Sequence, residues 1–410
     1  MGTPLSAAIR RLRGDRGLSQ RQVAEAVGVE RPTVTQWESG RFTPAADTLR
    51  RLDEALRADG ELVRLAGPGD VDRVAPARAS VGEPSGATLA QVFAAVGDRL
   101  VGAVVRDPDD DECVGWAQGI GSRRRRPSPW STALAVRTLL LLDRVDIDMR
   151  SIARTMGRRQ HAGGWSNRVL DRPRPDVTAV VLGTLTRVGR AESADLEAAW
   201  TWLSTSMDDE DRHRTFVLST VLENLAQLRP RHPFVGELVR LLLDARMDVG
   251  GRLVWAAYSA VAQARVEPSV THTARAVVAL RTLTALVDHP EVEDAVGQAV
   301  EWLASERNDD GVTEILRVDP EQSTLDVPVD HFTSAHVIRA LIGRAGVSRS
   351  RLEGAFGTLW SSYVPEEGVW AWKQDGRLPV WMSHDAVLAL RGAALAGYPV
   401  PHAPQTGALS

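Results

Sequence analysis

The chain has 410 residues, 43% of them hydrophobic and 25% charged, with a net charge of −4. That balance fits a soluble globular protein of two or three domains and excludes one that coats nucleic acid by bulk positive charge. No run approaches the roughly 20 apolar residues of a membrane span. The single cysteine, Cys113, excludes an internal disulfide and a multi-cysteine zinc site. The start Met1-Gly2-Thr3-Pro4 lacks the basic and apolar segments of a signal peptide, so a cytoplasmic protein is expected.

The first element runs from Leu5 to Arg13, with Leu5, Ala8, Ile9 and Leu12 at helical spacing; Gly14 and Gly17 end it. Ser19 then stands as an N-cap, and Gln22 three residues on completes a capping box. Gly28 falls where a tight turn needs a positive φ. Pro32 suits the first turn of the next helix, which continues through Thr33 to Glu38 and closes at Ser39-Gly40. A further helix spans Pro44 to Leu56, with Leu49, Leu52 and Leu56 on one face. Residues 1–66 hold eleven Arg against nine Asp and Glu, a net +2, so one copy of this segment is expected to bind DNA weakly at physiological salt.

Leu18-Ser19-Gln20, Val23-Ala24, Gly28-Val29, Val34-Thr35-Gln36-Trp37-Glu38-Ser39-Gly40, Pro44 and Leu49-Arg50-Arg51-Leu52 carry a resemblance. Together they are similar to the Cro/XRE family of helix-turn-helix DNA-binding domains. The resemblance implies a five-helix domain over 1–66 whose second motif helix enters the major groove. It points Arg31, Pro32, Thr33 and Gln36 at base edges. Arg31 has the chemistry to pair with guanine and Gln36 with adenine, while Pro32 offers only apolar contact. Gln20 corresponds to a DNA-backbone contact, and Thr33, Ser39 and Arg41 to phosphate contacts. Trp37 is expected in the core.

Residues 67–87 are Gly- and Pro-rich without an apolar period and read as a flexible linker. From 88 to 400 a pattern recurs at intervals of roughly 40–60 residues, leaving 401–410 as a tail. A Gly- or Trp-bearing loop leads into a Ser/Thr-Ala helix start. The starts are Ser131-Thr132-Ala133, Asp176-Val177-Thr178-Ala179, Thr271-His272-Thr273-Ala274, Thr333-Ser334-Ala335, Ser383-His384-Asp385-Ala386 and a weaker Arg214-Thr215-Phe216. Six such starts suit six inner helices crowding round an axis, with hydroxyls available as caps. The pattern resembles the prenyltransferase and squalene-hopene-cyclase repeat superfamily. The expected fold is therefore all-α, a helix-turn-helix domain followed by a large (α/α)6 toroid.

That resemblance locates candidate chemistry and tests it. Asp176 falls where class II terpene cyclases carry their proton-donating Asp, but Arg174 and Val177 replace its acidic neighbours. Protonating an alkene needs a carboxyl cluster, so Asp176 reads as an N-cap and no catalytic residue is assigned. Asp107-Pro108-Asp109-Asp110 reads as a solvated loop, and Arg123 to Arg126 as a basic loop able to meet it. The Asp-x-Cys and His set of zinc prenyltransferases is not assembled, so neither metal nor cofactor is expected. His272, His331, His336 and His384 lie at inner-helix starts, and Trp370, Trp372 and Trp381 near the last. Asp176, His272, His336, Trp370, Trp372, Trp381 and His384 are thus candidates to line a cavity, and an aromatic lining suits an apolar, isoprenoid-like ligand.

The expected function is a sequence-specific regulator that binds double-stranded DNA, as a homodimer, with a toroid that senses a small ligand or a protein partner. No membrane role is expected. The alternatives are an isoprenoid-processing enzyme with a DNA-binding head, or a DNA-tethered interaction scaffold.

Overall fold

The computed structural model describes residues 4–27, 34, 35, 37, 38, 46–58, 60–65, 86–122, 126–144, 147–167, 172–189, 193–262, 266–306, 313–317, 326–373 and 376–404. Of residues 313–317 and 326–329 only backbone placement is described. The expected DNA contacts Arg31, Pro32, Thr33, Gln36, Ser39 and Arg41, Gly28 and linker residues 67–85 lie outside the described residues. The chain divides into two compact units, Met1–Glu83 and Pro84–Ser410.

The first unit contains α1 (Pro4–Asp15), α2 (Gln20–Val27), α3 (Ala46–Ala55) and α4 (Glu61–Leu65), and Val34, Thr35, Trp37 and Glu38 are also helical. The capping box forms: Gln22 N–H donates to Ser19 Oγ (3.2 Å) and Ser19 N–H to Gln22 Oε1 (2.9 Å). Asp53 is buried and accepts from the N–H groups of Gly60 (2.7 Å) and Leu62 (2.9 Å), which fixes the start of α4. Ile9, Val23, Val34, Leu49, Leu52, Leu56 and Leu62 make the core, with Trp37 among them.

The second unit pairs outer helices with inner ones. The outer helices are α5 (Leu89–Gly102), α7 (Met149–Arg158), α9 (Ser193–Ser206), α12 (Pro233–Asp244), α14 (Pro290–Ser305) and α16 (Arg349–Trp360). Their inner partners are α6 (Pro129–Leu141), α8 (Pro175–Val188), α11 (Thr215–Leu225), α13 (Val270–Thr284), α15 (Thr333–Leu341) and α17 (Val380–Leu395). A short helix, α10 (Asp209–His213), precedes α11. Antiparallel hairpins join four of the pairs: β1 (Val105–Asp107) with β2 (Asp110–Gly115), β3 (Arg246–Val249) with β4 (Arg252–Trp255), β5 (Thr313–Arg317) with β6 (Asp326–Asp330), and β7 (Tyr363–Val364) with β8 (Val369–Trp370). Each inner helix packs on the next, and α17 packs back on α6, which closes the ring. All six expected inner starts lie at or within one turn of an observed inner-helix start, so the second unit is an (α/α)6 toroid.

A repeated clasp sets the inner helices. Trp116, Trp165, Trp255 and Trp370 are fully buried, and each indole Nε1–H donates to a carbonyl near the end of an outer helix: Leu100 (2.7 Å), Met156 (2.6 Å), Leu242 (2.7 Å) and Leu359 (3.0 Å). The backbone N–H of the first three donates to the hydroxyl of Thr132 (3.0 Å), Thr178 (2.9 Å) and Thr273 (2.9 Å), one turn into the inner helices. These hydroxyls therefore hold the preceding loop instead of capping their own helices, as the sequence suggested. Gly164 lets the second loop approach so closely, since a Cβ there would lie 2.7 Å from Pro173 Cβ.

Four expectations need correction. Asp176 does not cap α8; Arg174 is the N-cap residue, and Asp176 is the second helical residue. Asp107 is buried and paired with Arg159 rather than solvated, because the acidic run folds as the β1–β2 hairpin; Arg126 does reach Asp109. Trp370 is sealed between the outer and inner layers by Trp360 and Tyr363, with ring centroids 5.7 and 4.9 Å away, so it lines no cavity. The folded unit also exceeds 88–400: Ala87 pairs with Ala403, which is buried.

Candidate functional site

Glu38 is the hub of the first unit. It is 4% exposed and accepts from Arg13 Nε (2.5 Å) and Nη2 (3.2 Å) and from Gln20 Nε2 (2.9 Å), while Arg10 reaches its backbone carbonyl. Burial pushes this carboxyl up, but the Arg13 and Gln20 hydrogen bonds outweigh burial and hold it below its ordinary value. Gln20 Oε1 also accepts from Thr35 Oγ1 (3.2 Å). Gln20, the one expected DNA contact among the described residues, thus has both ends of its amide engaged between the motif helices.

In the toroid, one stripe of each inner helix faces the axis. Six helices at interaxial distances of about 8–10 Å leave a central gap of about 4–10 Å once helix thickness is subtracted. Residues at i, i+3/4, i+7 spacing keep part of their surface exposed although inner helices, outer helices and hairpins surround them. They include Trp130 and Arg137 on α6, Phe216 and Glu223 on α11, Arg275 and Thr282 on α13, Arg339 on α15, and Trp381, Asp385 and Leu388 on α17. The Arg339 guanidinium meets the Glu223 carboxylate although α15 and α11 are not neighbours in the ring, so the pair bridges past α13, which lies between them. Glu223 keeps 27% of its side-chain surface and Arg339 14%, so water-sized space, called the channel below, remains between the inner helices.

The channel is charged where an apolar lining was expected. Burial raises Glu223, but Arg339 outweighs burial and holds it ionised. His336 Nε2 lies 3.4 Å from Asp385 Oδ2, and burial, reinforced by Arg275, pushes the imidazole down to about 4 despite that carboxylate. His384 Nδ1 bonds Thr138 Oγ1 (3.0 Å), and burial takes it to about 3. His272 is fully buried against Ser269 Oγ (2.8 Å) and His331 (centroids 5.3 Å) and so is not exposed to the channel. Trp372 and Trp381 meet edge to face at 6.4 Å, near the inner-helix N-termini.

At the same end Arg174 grips Asp176 with both Nε (3.1 Å) and Nη2 (3.2 Å). Asp211 on α10 feels that carboxylate: burial first, then Asp208 and Asp176, raise it to about 7. The candidates thus separate into Asp176 at the mouth, His336 and His384 deeper in, Trp372 and Trp381 near the rim, and His272 and Trp370 inside the wall. Arg137, Glu223, Arg275, Arg339, Asp385 and Asp211 were not singled out in the sequence. The signal was there for the first five: a charged residue within an otherwise apolar inner helix, in five of the six.

Residues 4–66 match a family model described as a helix-turn-helix domain. No curated protein matches the chain. Among solved structures, the alpha-1,6-mannanase GH76A of Salegentibacter sp. HEL1_6 is 10% identical, with 75% of this chain and 99% of that chain covered and a TM-score of 0.47. The type II terpene cyclase MstE from Scytonema is 16% identical, covering 74% of this chain and 97% of that one, at 0.45. The ent-copalyl diphosphate synthase from Streptomyces platensis is 16% identical, covering 67% and 52%, at 0.40. The toroid assignment stands on its own closed ring of helices and not on these low-scoring likenesses. Residues 4–66 of this chain are a helix-turn-helix domain, carried ahead of an (α/α)6 toroid.

Proposed function

We propose that the protein is a sequence-specific DNA-binding transcription regulator whose toroid binds a ligand without turning it over. The family match over residues 4–66 carries this reading. Arg31 and Gln36 read bases, and Gln20, Thr33, Ser39 and Arg41 position the backbone. The net +2 of residues 1–66 is too small for tight binding by one copy, so a homodimer supplies the second reader. Charged groups along the channel favour a polar ligand over the isoprenoid-like one that the tryptophans suggested.

The test is selection of duplexes from a random pool by the full chain. An enriched site whose bases change with Arg31→Ala or Gln36→Ala supports the reading, and a pool that stays random contradicts it. One observation favours a second reading, an acid–base enzyme: Asp211 sits near Asp176 with its carboxyl raised to about 7. The bidentate Arg174 grip on Asp176 weighs against it, because it stabilises the ionised carboxylate.

A further inference from the structure

We propose that the channel, at the C-terminal ends of the inner helices, holds a small organic anion, a carboxylate or phosphate ester, between Arg137 and Arg187. The proposal rests on the toroid binding a ligand and names that ligand's chemistry. Arg137 projects from α6 toward α8, where its Nε donates to Thr184 Oγ1 (2.7 Å) and its Nη2 to the Val180 carbonyl (2.9 Å). Those bonds fix the guanidinium plane and leave Nη1 uncommitted among the described residues. The site is cut to fit: Gly183 lies against the guanidinium, and a Cβ there would come within 2.5 Å of Nη2.

Arg187, one turn beyond Gly183, hydrogen-bonds only the neutral Gln227 amide oxygen among the described residues. Glu223 acts on both guanidiniums, but its hydrogen bond goes to Arg339. Burial first, then the like charge of Arg187, push Arg137 down to about 9, and Glu223 offsets only part of this. Two neighbouring guanidiniums, one of them locked in plane, match the paired oxygens of a carboxylate or phosphate. His336 and His384, being neutral, add nothing to the balance. Access is available, since Arg187 and Gln227 are exposed. A groove of about 530 Å³ lined by Leu140, Ile147, Asp148, Met149, Arg150, Arg187 and Val188 opens beside Arg187, with room for the rest of the ligand.

The experiment is thermal unfolding of the full chain in citrate, inorganic phosphate or chloride at equal ionic strength. Citrate or phosphate should raise Tm by about 3 °C over chloride. Arg187→Gln should abolish that rise, and Gly183→Ala, which crowds Arg137, should diminish it. No rise, or an equal rise in Arg187→Gln, would overturn the site. Arg187→Gln lies at an exposed position and should fold; Arg187→Lys, which keeps the charge but not the fork, should recover only part of the rise. Gel shifts with the enriched duplex separate this proposal from the regulatory one. An Arg187-dependent rise with unchanged DNA affinity supports the site and contradicts coupling to DNA. An intact duplex affinity with no rise keeps the reader and removes the anion site.

Discussion

Replacing Glu38 with Ala should loosen the helix-turn-helix unit and leave the toroid untouched. The side chain is 4% exposed and gathers Arg13 and Gln20. Removing one partner of a fully buried ion pair costs about 3–5 kcal/mol. Arg13 keeps 22% of its side-chain surface and can turn partly to water, so the cost falls to about 2–3 kcal/mol. A unit of this size has a stability of about 3–10 kcal/mol, so the loss is a large fraction of the whole. Hydrogen exchange followed by mass spectrometry on the full chain is the assay. Peptides from 4–27 and 46–65 should exchange about 30- to 160-fold faster, and toroid peptides at the native rate. Glu38→Gln, which keeps an acceptor, should cost about half as much. Acceleration below about threefold in Glu38→Ala would refute the hub role. Because the folded carboxyl titrates below its ordinary value, its stabilisation is present above that value and is lost as pH falls through the folded one.

Thr178→Ala should strand the buried Trp165 N–H and lower toroid stability by about 1–3 kcal/mol in denaturant unfolding, whereas Thr178→Ser should restore most of it. Asp211 carries a folded value near 7, above its unfolded one, so its contribution is present in acid and lost as pH rises from about 4 through 7. Asp211→Asn should therefore gain Tm relative to the native chain at pH 8 and lose that advantage at pH 4. His336 and His384 are held down to about 4 and 3, so their imidazole resonances should not shift between pH 5 and 8. For both, stability present above the unfolded value near 6.5 should drain as pH falls toward the folded ones.

The framework was legible because it follows local chemistry. Ser19 and Gln22 announce a helix start, and Ser/Thr-Ala clusters mark five of the six inner helices, where small side chains fit as helices crowd. The roles of the tryptophans were less legible. Trp370 follows a glycine loop as Trp165 does, and both use the same clasp, but nothing in the composition of such a loop says whether its indole enters the wall or the axis. The channel was hidden for a related reason. Arg137, Glu223 and Arg339 interrupt apolar helices, but a charge on a helix face reads as solvent-facing until its partner on another inner helix is known. Asp211 was obscured by its own surroundings, since Asp208-Asp209-Glu210-Asp211 resembles an ordinary acidic loop.

The central claim, that residues 1–66 read DNA sequence, is tested most directly by the affinity of the full chain for its enriched duplex and for a scrambled duplex of the same composition, both at physiological salt. The account predicts a preference of at least about 10³-fold for the enriched site. Equal affinity for the two duplexes, falling equally with salt, would contradict it.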